Sequence, residues 1–426
     1  MISFLKKVWR DRRGNALVIA GAALPLVIGS AGLATDTIQW SLWKRQLQRA
    51  ADSAALAGAY AEASGNSVDT GNCLTSTANS AHPIRFDLQK NDHSGIVTSC
   101  TASNPPSTGA YTADGTAVHV ALQGSKALSF SGMFMTSAPT ISVSATAKLI
   151  DDGDFCLVTL KRDSGAGITM SGSSTANLGC GAISNSTGTS SITSNGNAYS
   201  FTADPVASVG GMPQSINGST NLEPYHLPQS DPFAGKYPTD IPSGTSCKSS
   251  NQQSYGSHGS KLKAGCYTDF HLTGQQTYTM DPGIYYLNST DFNIGGGVTL
   301  IGTGVTIILT GSTPGSVQIN GNSTIQLSAQ TSGTYAHMLF LQAPGATADS
   351  TFNGTNSSYF DGALYFPNTN VTFNGTSGAS TQCTMVVSYT ATFAGNTNLQ
   401  NSLTRPDNTP CQNNTTVHAH KIALVE

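Results

Sequence analysis

Charged residues are scarce in this sequence, at 10% of the 426 positions, and the formal net charge is only -3. Because binding to nucleic acid requires a basic face, this composition argues against a nucleic-acid partner. Glutamate is almost missing after Glu62, with Glu223 and Glu426 alone remaining. Strong helix formers are few there, whereas Thr, Val, Ile and turn-forming residues are dense. Mainly β-structure is therefore predicted after residue 64.

The motifs of several enzyme classes are missing as well. The sequence contains no Gly-x-Ser-x-Gly, no His-Glu-x-x-His, no Walker loop and no dinucleotide fingerprint. Asp361 is the best single candidate for an acid or base, but a turn position before Gly362 is the preferred interpretation. His418 and His420 share one face of a predicted edge strand without a third ligand nearby. We predict no catalytic residue, no cofactor, no metal site and no enzymatic activity.

A long apolar run near the N-terminus is the strongest positive feature. Residues 16–35 carry no charge, and five Lys or Arg residues stand before them. Twenty residues of helix cross a hydrocarbon core of about 30 Å, and the basic tail is expected to stay cytoplasmic. We predict a cytoplasmic tail over 1–15, a transmembrane helix over 16–35 and a continuation of that helix over 36–63. The alternative is a secretory signal cleaved near Gly32-Leu33-Ala34.

The continuation of this helix carries a face of small residues. Ala50, Ala54 and Ala57 recur at helical spacing. Small residues let another helix approach closely, so these three are predicted to dock on a partner helix. The same face could instead pack on a sheet formed by residues 64–150, where two segments alternate apolar and polar residues with period two.

The N-terminal residues also carry a recognisable motif. The string RRGNALVIAGAALPLVIGSAGLATD, followed by LQRAADSAALAGA, resembles the N-terminal region of TadG-like proteins of the bacterial Tad/Flp pilus-assembly systems. Later phrases, such as MDPGIYYL and FDGALYFPNTNVTFNG, resemble the C-terminal regions of some TadG-like proteins. The resemblance implies a pilin-like protein of the inner membrane that helps to build a surface pilus. It implies other pilin-like or pilus-assembly membrane proteins, and membrane lipid, as partners.

Eight cysteines lie beyond the predicted span, and none lies before it. An even number in an exported segment indicates disulfides in an oxidising periplasm. We expect pairing between neighbours in sequence, although eight cysteines permit 105 connectivities. The expected pairs are Cys73 with Cys100, Cys156 with Cys180, Cys247 with Cys266, and Cys383 with Cys411.

A weak repeat runs through the second half of the chain. Six segments place an apolar residue two positions before a glycine and a small polar turn after it, at Gly172, Gly296, Gly321, Gly354, Gly375 and Gly395. The last five glycines are 20 to 33 positions apart, which suits one turn of a parallel β-helix. We favour a right-handed β-helix or similar solenoid, with a β-sandwich as the alternative.

Together these patterns predict a membrane-anchored chain with two exported parts. A small α+β domain is predicted over 64–150 and a β-helix-like domain over 151–426, interrupted by a long surface loop over 205–260. The predicted function is non-enzymatic pilus assembly, from a single-pass position in the inner membrane with the C-terminal domain in the periplasm or at the cell surface. One alternative is a surface adhesin or glycan-binding protein. A second is a membrane-tethered carbohydrate-active enzyme on a β-helix.

Overall fold

The structure is a computed structural model that falls into two compact units. It describes residues 14–75, 82–92, 95–196, 198–236, 241–249, 260–353, 355, 357–374, 378–395, 398–402 and 416–426. One unit comprises Met1–Ile150 with Lys421–Glu426, and the other comprises Asp151–His420. The last six residues therefore belong with the first unit, whereas the sequence placed everything from 151 to 426 in one domain.

The first unit combines two helices with an antiparallel sheet. Its elements are helix α1 (Gly14–Ala63), strand β1 (Gly71–Asn72), helix α2 (Pro83–Asn91), strands β2 (Val97–Ser103) and β3 (Ala117–Ser125), a 3-10 helix (Ser131–Met133) and the first part of β4 (Thr140–Thr159). Strand β3 pairs antiparallel with β2 on one side and with β4 on the other. A disulfide between Cys73 and Cys100 joins the segment after β1 to β2.

Alternation in β3 and β4 decides which face of this sheet is covered. Val118, Val120 and Leu122 are fully buried, and they pack with Ile141 and Ala145 in a core shared with α1 and α2. Successive side chains of a strand point to opposite faces, so period-two apolar residues give the sheet one apolar side. Helix α1 lies on that side, because its small residues let the backbone approach closely.

The second unit is a parallel β-solenoid of about nine turns, as the glycine repeat predicted. Its strands lie on three faces. The first face holds the later part of β4 with β7 (Gly181–Ser184), β10 (Val206–Ser208), β11 (Leu222–Pro224), β12 (Cys247–Ser249), β14 (Gly265–Asp269), β17 (Gly283–Asn288), β20 (Val305–Thr310), β23 (Met338–Gln342) and the first parts of β26 (Ala363–Phe373) and β28 (Met385–Phe393).

The other two faces complete each coil. The second face holds β5 (Ile168–Ser171), β8 (Ile192–Asn195), β15 (His271–Leu272), β18 (Phe292–Ile294), β21 (Val317–Ile319), β24 (Ser350–Phe352) and the later parts of β26 and β28. The third face holds β6 (Thr175–Asn177), β9 (Ser200–Thr202), β13 (Ser260–Leu262), β16 (Thr277–Met280), β19 (Thr299–Thr303), β22 (Thr324–Ser328), β25 (Tyr359–Asp361), β27 (Gly378–Gln382) and β29 (Asn398–Ser402). The last strand, β30 (Val417–Leu424), passes from the second unit into the first.

The coils do not stack in the order of the sequence. Strand β28, from the C-terminal coils, pairs in parallel with β4, which begins the N-terminal coils. Along the first face the order is β12, β14, β17, β20, β23, β26, β28, β4, β7, β10 and β11. The N-terminal coils therefore extend the stack beyond the C-terminal ones, and among the described strands β11 and β12 are its two ends on this face.

Aromatic side chains stack inside the solenoid from coil to coil. The rings of Phe352 and Phe373 are 5.5 Å apart, and Phe373 stacks on Phe393 at the same distance with an angle of 11° between the planes. Parallel pairing in register places equivalent residues of successive coils above one another, and Phe373 lies opposite Phe393 in this register. Phe201 of the N-terminal coils contacts Phe393, so the stack continues across the junction between the two runs of coils.

The structure differs from the surface loop that the sequence predicted over 205–260. The structure places three short strands there, β10, β11 and β12, each of three residues, and residues 250–259 lie outside the described part. Strands this short show no periodicity in sequence. Residues 225–235, which we term the connector, lie on the outside of the first face. Asn185 Nδ2 donates to Gln229 O at 2.7 Å, and Tyr365 Oη donates to Asp231 Oδ2 at 2.7 Å.

Two disulfides close neighbouring coils of the second unit. Cys156 is joined to Cys180, with Cα atoms 5.9 Å apart, and Cys247 to Cys266, with Cα atoms 4.4 Å apart. Cys383 is also disulfide-bonded, and its expected partner, Cys411, lies outside the described residues. The bonded pairs link residues on adjacent coils, which restricts the unfolded chain.

Two glycines of the repeat, Gly172 and Gly395, adopt a left-handed backbone. Gly172 and Gly395 have φ of +69° and +68°, and a Cβ on Gly172 would lie 3.0 Å from Gly395 O. Only glycine adopts this conformation without steric cost while another backbone lies so close. Gly354 and Gly375 lie outside the described residues.

The ion pair between Lys148 and Asp114 gives the first unit a pH dependence. Lys148 Nζ lies 2.6 Å from Asp114 Oδ2, and this hydrogen bond, with a smaller effect of Thr116, lowers the pKa of Asp114 to about 2. A carboxyl group with a lowered folded-state pKa stabilises above its unfolded pKa, and that contribution is lost as pH falls through the folded value. We expect the wild type to be more stable than Asp114→Asn above about pH 4. The two melting temperatures should converge as pH falls to about 2, and a pH-independent gap would contradict the assignment.

Candidate anchoring and assembly helix

Helix α1 is long enough to cross a membrane with one half and to pack on a folded domain with the other. Its 50 residues give a length of about 75 Å at the usual rise per residue. Among the described residues it is the single helix that is long and apolar enough to cross a membrane. It begins at Gly14 and continues without a break past Pro25, which transmembrane helices tolerate. A single apolar helix near the N-terminus fits a single-pass membrane anchor.

The first half of α1 exposes its apolar side chains. Leu26 is 76% exposed, although leucine is among the residues most often buried in soluble proteins. The large apolar residues exposed here are Ile19, Leu24, Leu26, Val27, Ile28, Leu33 and Ile38. Continuous exposure of this kind leaves a surface that water does not favour, and a lipid core or other helices would cover it.

The second half of α1 is covered by the protein itself. Ala50 and Ala54 are at most 2% exposed and pack in the core against β3 and β4, whereas Ala57 is half-buried. The face predicted to dock on a partner helix thus lies on the unit's own sheet. Gly58 shows how close the approach is, since a Cβ there would lie 2.7 Å from Val118 Cγ1 and 3.0 Å from Ile84 Cδ1.

A loop packs on α1 where the predicted span ends. The backbone N–H of Phe130 donates to Asp36 Oδ1 at 3.0 Å, and that of Ser131 donates to Asp36 Oδ2. Burial raises the pKa of Asp36, but the hydrogen bonds from Ser131 and Phe130 outweigh it and hold the pKa below its usual value. The Phe130 ring covers Gly32 so closely that a side chain there would overlap it. Asp36 therefore holds the loop in place as a carboxylate.

The tip of this loop is apolar and exposed. Met133 and Phe134 are 77% and 74% exposed, and Met135 is 49% exposed. Just beyond the same level of α1, Lys44 lies over the ring of Trp40 and Lys126 over the ring of Trp43. Tryptophan beside lysine is the combination enriched where a transmembrane helix meets the headgroup region.

Asp361, the candidate acid or base, and two other aspartates of the solenoid have structural contacts. Asp291 Oδ1 accepts from the backbone N–H and the hydroxyl of Ser316, at 2.7 and 3.0 Å. Asp349 Oδ1 accepts from Asn370 N–H at 2.9 Å. Asp361 ends β25, and its backbone carbonyl accepts from Ala329. The carboxylates of Asp291 and Asp349 each link two adjacent coils, so a structural role accounts for their presence.

The structure brings together a cluster that sequence reasoning missed. Within the part of the chain that is described, Asp152, Glu223 and His226 form the one group of three potential metal ligands, with ligand atoms within 4.8 Å of one another. His418, singled out in the sequence, instead lies 2.6 Å from Asp154 at an exposed position. The spacing Glu223-x-x-His226 was the available signal, but Asp152 lies 74 positions before His226.

The N-terminal helix matches a known protein family. Residues 14–61 match the family described as putative Flp pilus-assembly TadE/G-like. The chain carries a TadE/G-like segment. This confirms the resemblance of the N-terminal residues and supports a role in pilus assembly. The TadE/G-like match covers nearly all of α1, including both its exposed and its covered half, and ends before β1. Neither the comparison with curated proteins nor that with solved structures returned a match.

Proposed function

We propose that this chain is a non-enzymatic component of a Tad/Flp-type pilus-assembly system, anchored in the bacterial inner membrane by α1. The observation that carries the proposal is the TadE/G-like match on a helix whose first half exposes its apolar residues and whose second half seats a folded domain. A helix of this design fixes a domain at a defined height above a membrane. The β-solenoid then extends as a spacer or as a binding surface.

The proposed topology places the N-terminus in the cytoplasm. Five Lys or Arg residues lie within the first 13 positions, and positive charge resists translocation. Three disulfides join described residues beyond the helix, and they are stable in an oxidising periplasm rather than in the cytosol. The apolar loop tip at Met133–Met135, fixed beside Asp36, would lie at the outer headgroup level. The basic tail, the disulfides and the apolar loop tip all support the same orientation, with the N-terminus in the cytoplasm.

The structural contacts of the solenoid's aspartates support a non-enzymatic role. Ladders of aromatic and aliphatic residues fill the coils, and Asp291 and Asp349 bridge adjacent ones. Glycoside cleavage usually needs two carboxyl groups on either side of the scissile bond. Turnover of glycans by the purified chain, abolished by Asp361→Asn, would favour the enzymatic alternative instead.

Contacts with other assembly proteins are proposed for the exposed half of α1. Of the three alanines predicted to dock, only Ala57 keeps part of its surface exposed. The apolar residues from Ile19 to Leu33 remain open to a partner helix within the bilayer, where close packing drives association. Docking on pilin-like helices is thus proposed within the span rather than above it.

Membrane anchoring is tested by one charge placed in the apolar run. A charged residue at the bilayer centre costs about 2.5–3.5 kcal/mol in insertion. We expect Leu26→Arg to increase several-fold the fraction of protein released from membranes by alkaline carbonate. Ile38→Arg is the matched control, because Ile38 is similarly exposed but lies beyond the predicted span. Equal release of the two variants would contradict anchoring by residues 16–35.

A further inference from the structure

Three metal-ligating side chains meet at the end of the solenoid that β11 forms. Asp152 lies on β4, Glu223 lies on β11, and His226 follows β11 by two residues. His226 Nε2 is 3.0 Å from Asp152 Oδ2, and the two side chains are only 2% and 3% exposed. One donor atom from each of the three residues lies within 4.8 Å of the others. Imidazole and carboxylate groups are ligands that divalent metal ions use in proteins.

The second ring nitrogen of His226 fixes which atom faces the cluster. Nδ1 lies 2.8 Å from the backbone carbonyl of Leu227, which can only accept a hydrogen bond. A proton therefore sits on Nδ1, and Nε2 is the ring nitrogen that faces Asp152. Metal-bound histidines almost always donate their other N–H to a carbonyl, carboxylate or water in this way.

The distances between the donor atoms are close to what one ion requires. The three donor atoms lie within 4.8 Å of one another. Ligands of a tetrahedral zinc ion lie about 3.4 Å apart when each is about 2.1 Å from the metal.

We propose that Asp152, Glu223 and His226 bind one divalent transition-metal ion of the Zn²⁺ class. One imidazole with two carboxylates suits Zn²⁺ or Mn²⁺ better than the hard cations Mg²⁺ and Ca²⁺, which prefer oxygen alone. The site is structural. It joins the start of the N-terminal coils to the last strand of the stack, and it holds the first residues of the connector, since His226 N–H also donates to Ser208 O at 2.8 Å.

The test measures Zn²⁺ binding by the full chain purified in detergent. After treatment with a chelator, the protein is dialysed against micromolar Zn²⁺ and its metal content is determined by mass spectrometry. We expect one Zn²⁺ per chain in the wild type and at least tenfold weaker binding in Glu223→Gln, in which only one oxygen becomes nitrogen. Co²⁺ provides a second readout, since its visible absorption bands should appear in the wild type and weaken in the variant.

An exposed pair of the same residue types serves as the control. His418 Nδ1 lies 2.6 Å from Asp154 Oδ1, with side chains 74% and 39% exposed. His418→Gln should retain one Zn²⁺ per chain. The proposal is overturned if the wild type binds less than one equivalent, if Glu223→Gln binds like the wild type, or if His418→Gln loses the ion equally. Asp152→Asn repeats the test from a second ligand, so a folding defect in one variant does not decide the result.

Discussion

Replacing Phe393 by alanine should destabilise the solenoid by about 3–5 kcal/mol. Phe393 is 1% exposed, stacks on Phe373 and contacts Phe201, so it joins the C-terminal run of coils to the N-terminal run. A small cavity already lies beside it, lined by Leu157 and Val386 among others. Removing the ring enlarges this space, and the coils packed around it can relax into it only in part.

The measurement is thermal unfolding of the second unit, monitored by near-ultraviolet circular dichroism. For a unit of this size the expected decrease in melting temperature is on the order of 10 °C. Tyr225→Ala is the matched control, because Tyr225 is an aromatic residue of the same unit that is 74% exposed. A decrease below about 2 °C for Phe393→Ala would mean that the junction between the two runs is not where the structure places it.

Replacing Gly58 by leucine should separate α1 from its sheet. A Cβ at this position would lie 2.7 Å from Val118, and the remaining atoms of leucine would extend into a core that has no space for them. Overpacking of this kind costs about 1–3 kcal/mol, more than the helix propensity gained by removing a glycine. We expect faster proteolysis of the first unit and, in cells, loss of pili together with loss of folded protein.

Gly29→Leu is the matched control, because it places the same side chain on the same helix at a position where it overlaps no other atom. Nothing lies within 4 Å of a Cβ built on Gly29. Gly29→Leu should therefore leave protease resistance unchanged. If it still abolishes pili, the exposed half of α1 docks on a partner as proposed. Equal protease resistance of Gly58→Leu and the wild type would contradict the packing of α1 on β3.

The helix and the solenoid could both be predicted from the sequence, because each has a local signal of its own. An uncharged run of twenty residues and a recurring apolar-x-Gly pattern are local signals, and both α1 and the solenoid are present. The order in which the coils stack could not be predicted in this way. Nothing in the repeats around Gly172 and Gly395 states that β28 pairs with β4, because any two coils of similar shape can stack.

The differences between the sequence-based expectations and the structure also have physical reasons. A small-residue face at Ala50 and Ala54 looks the same in sequence whether a partner helix or the protein's own sheet covers it. Three-residue strands such as β10 and β11 are too short to show alternation, so residues 205–260 looked like a loop. The cluster at His226 depends on Asp152, which only the folded coils bring near.

The most direct test of a role in pilus assembly is electron microscopy of a strain that lacks this chain, with surface pili counted per cell. We expect pili to be absent and to return when the wild-type chain is supplied, but not when Leu26→Arg is supplied. Normal pili in the deletion strain would contradict an assembly role. Attachment to surfaces and to glycans would then be the function to measure for the solenoid.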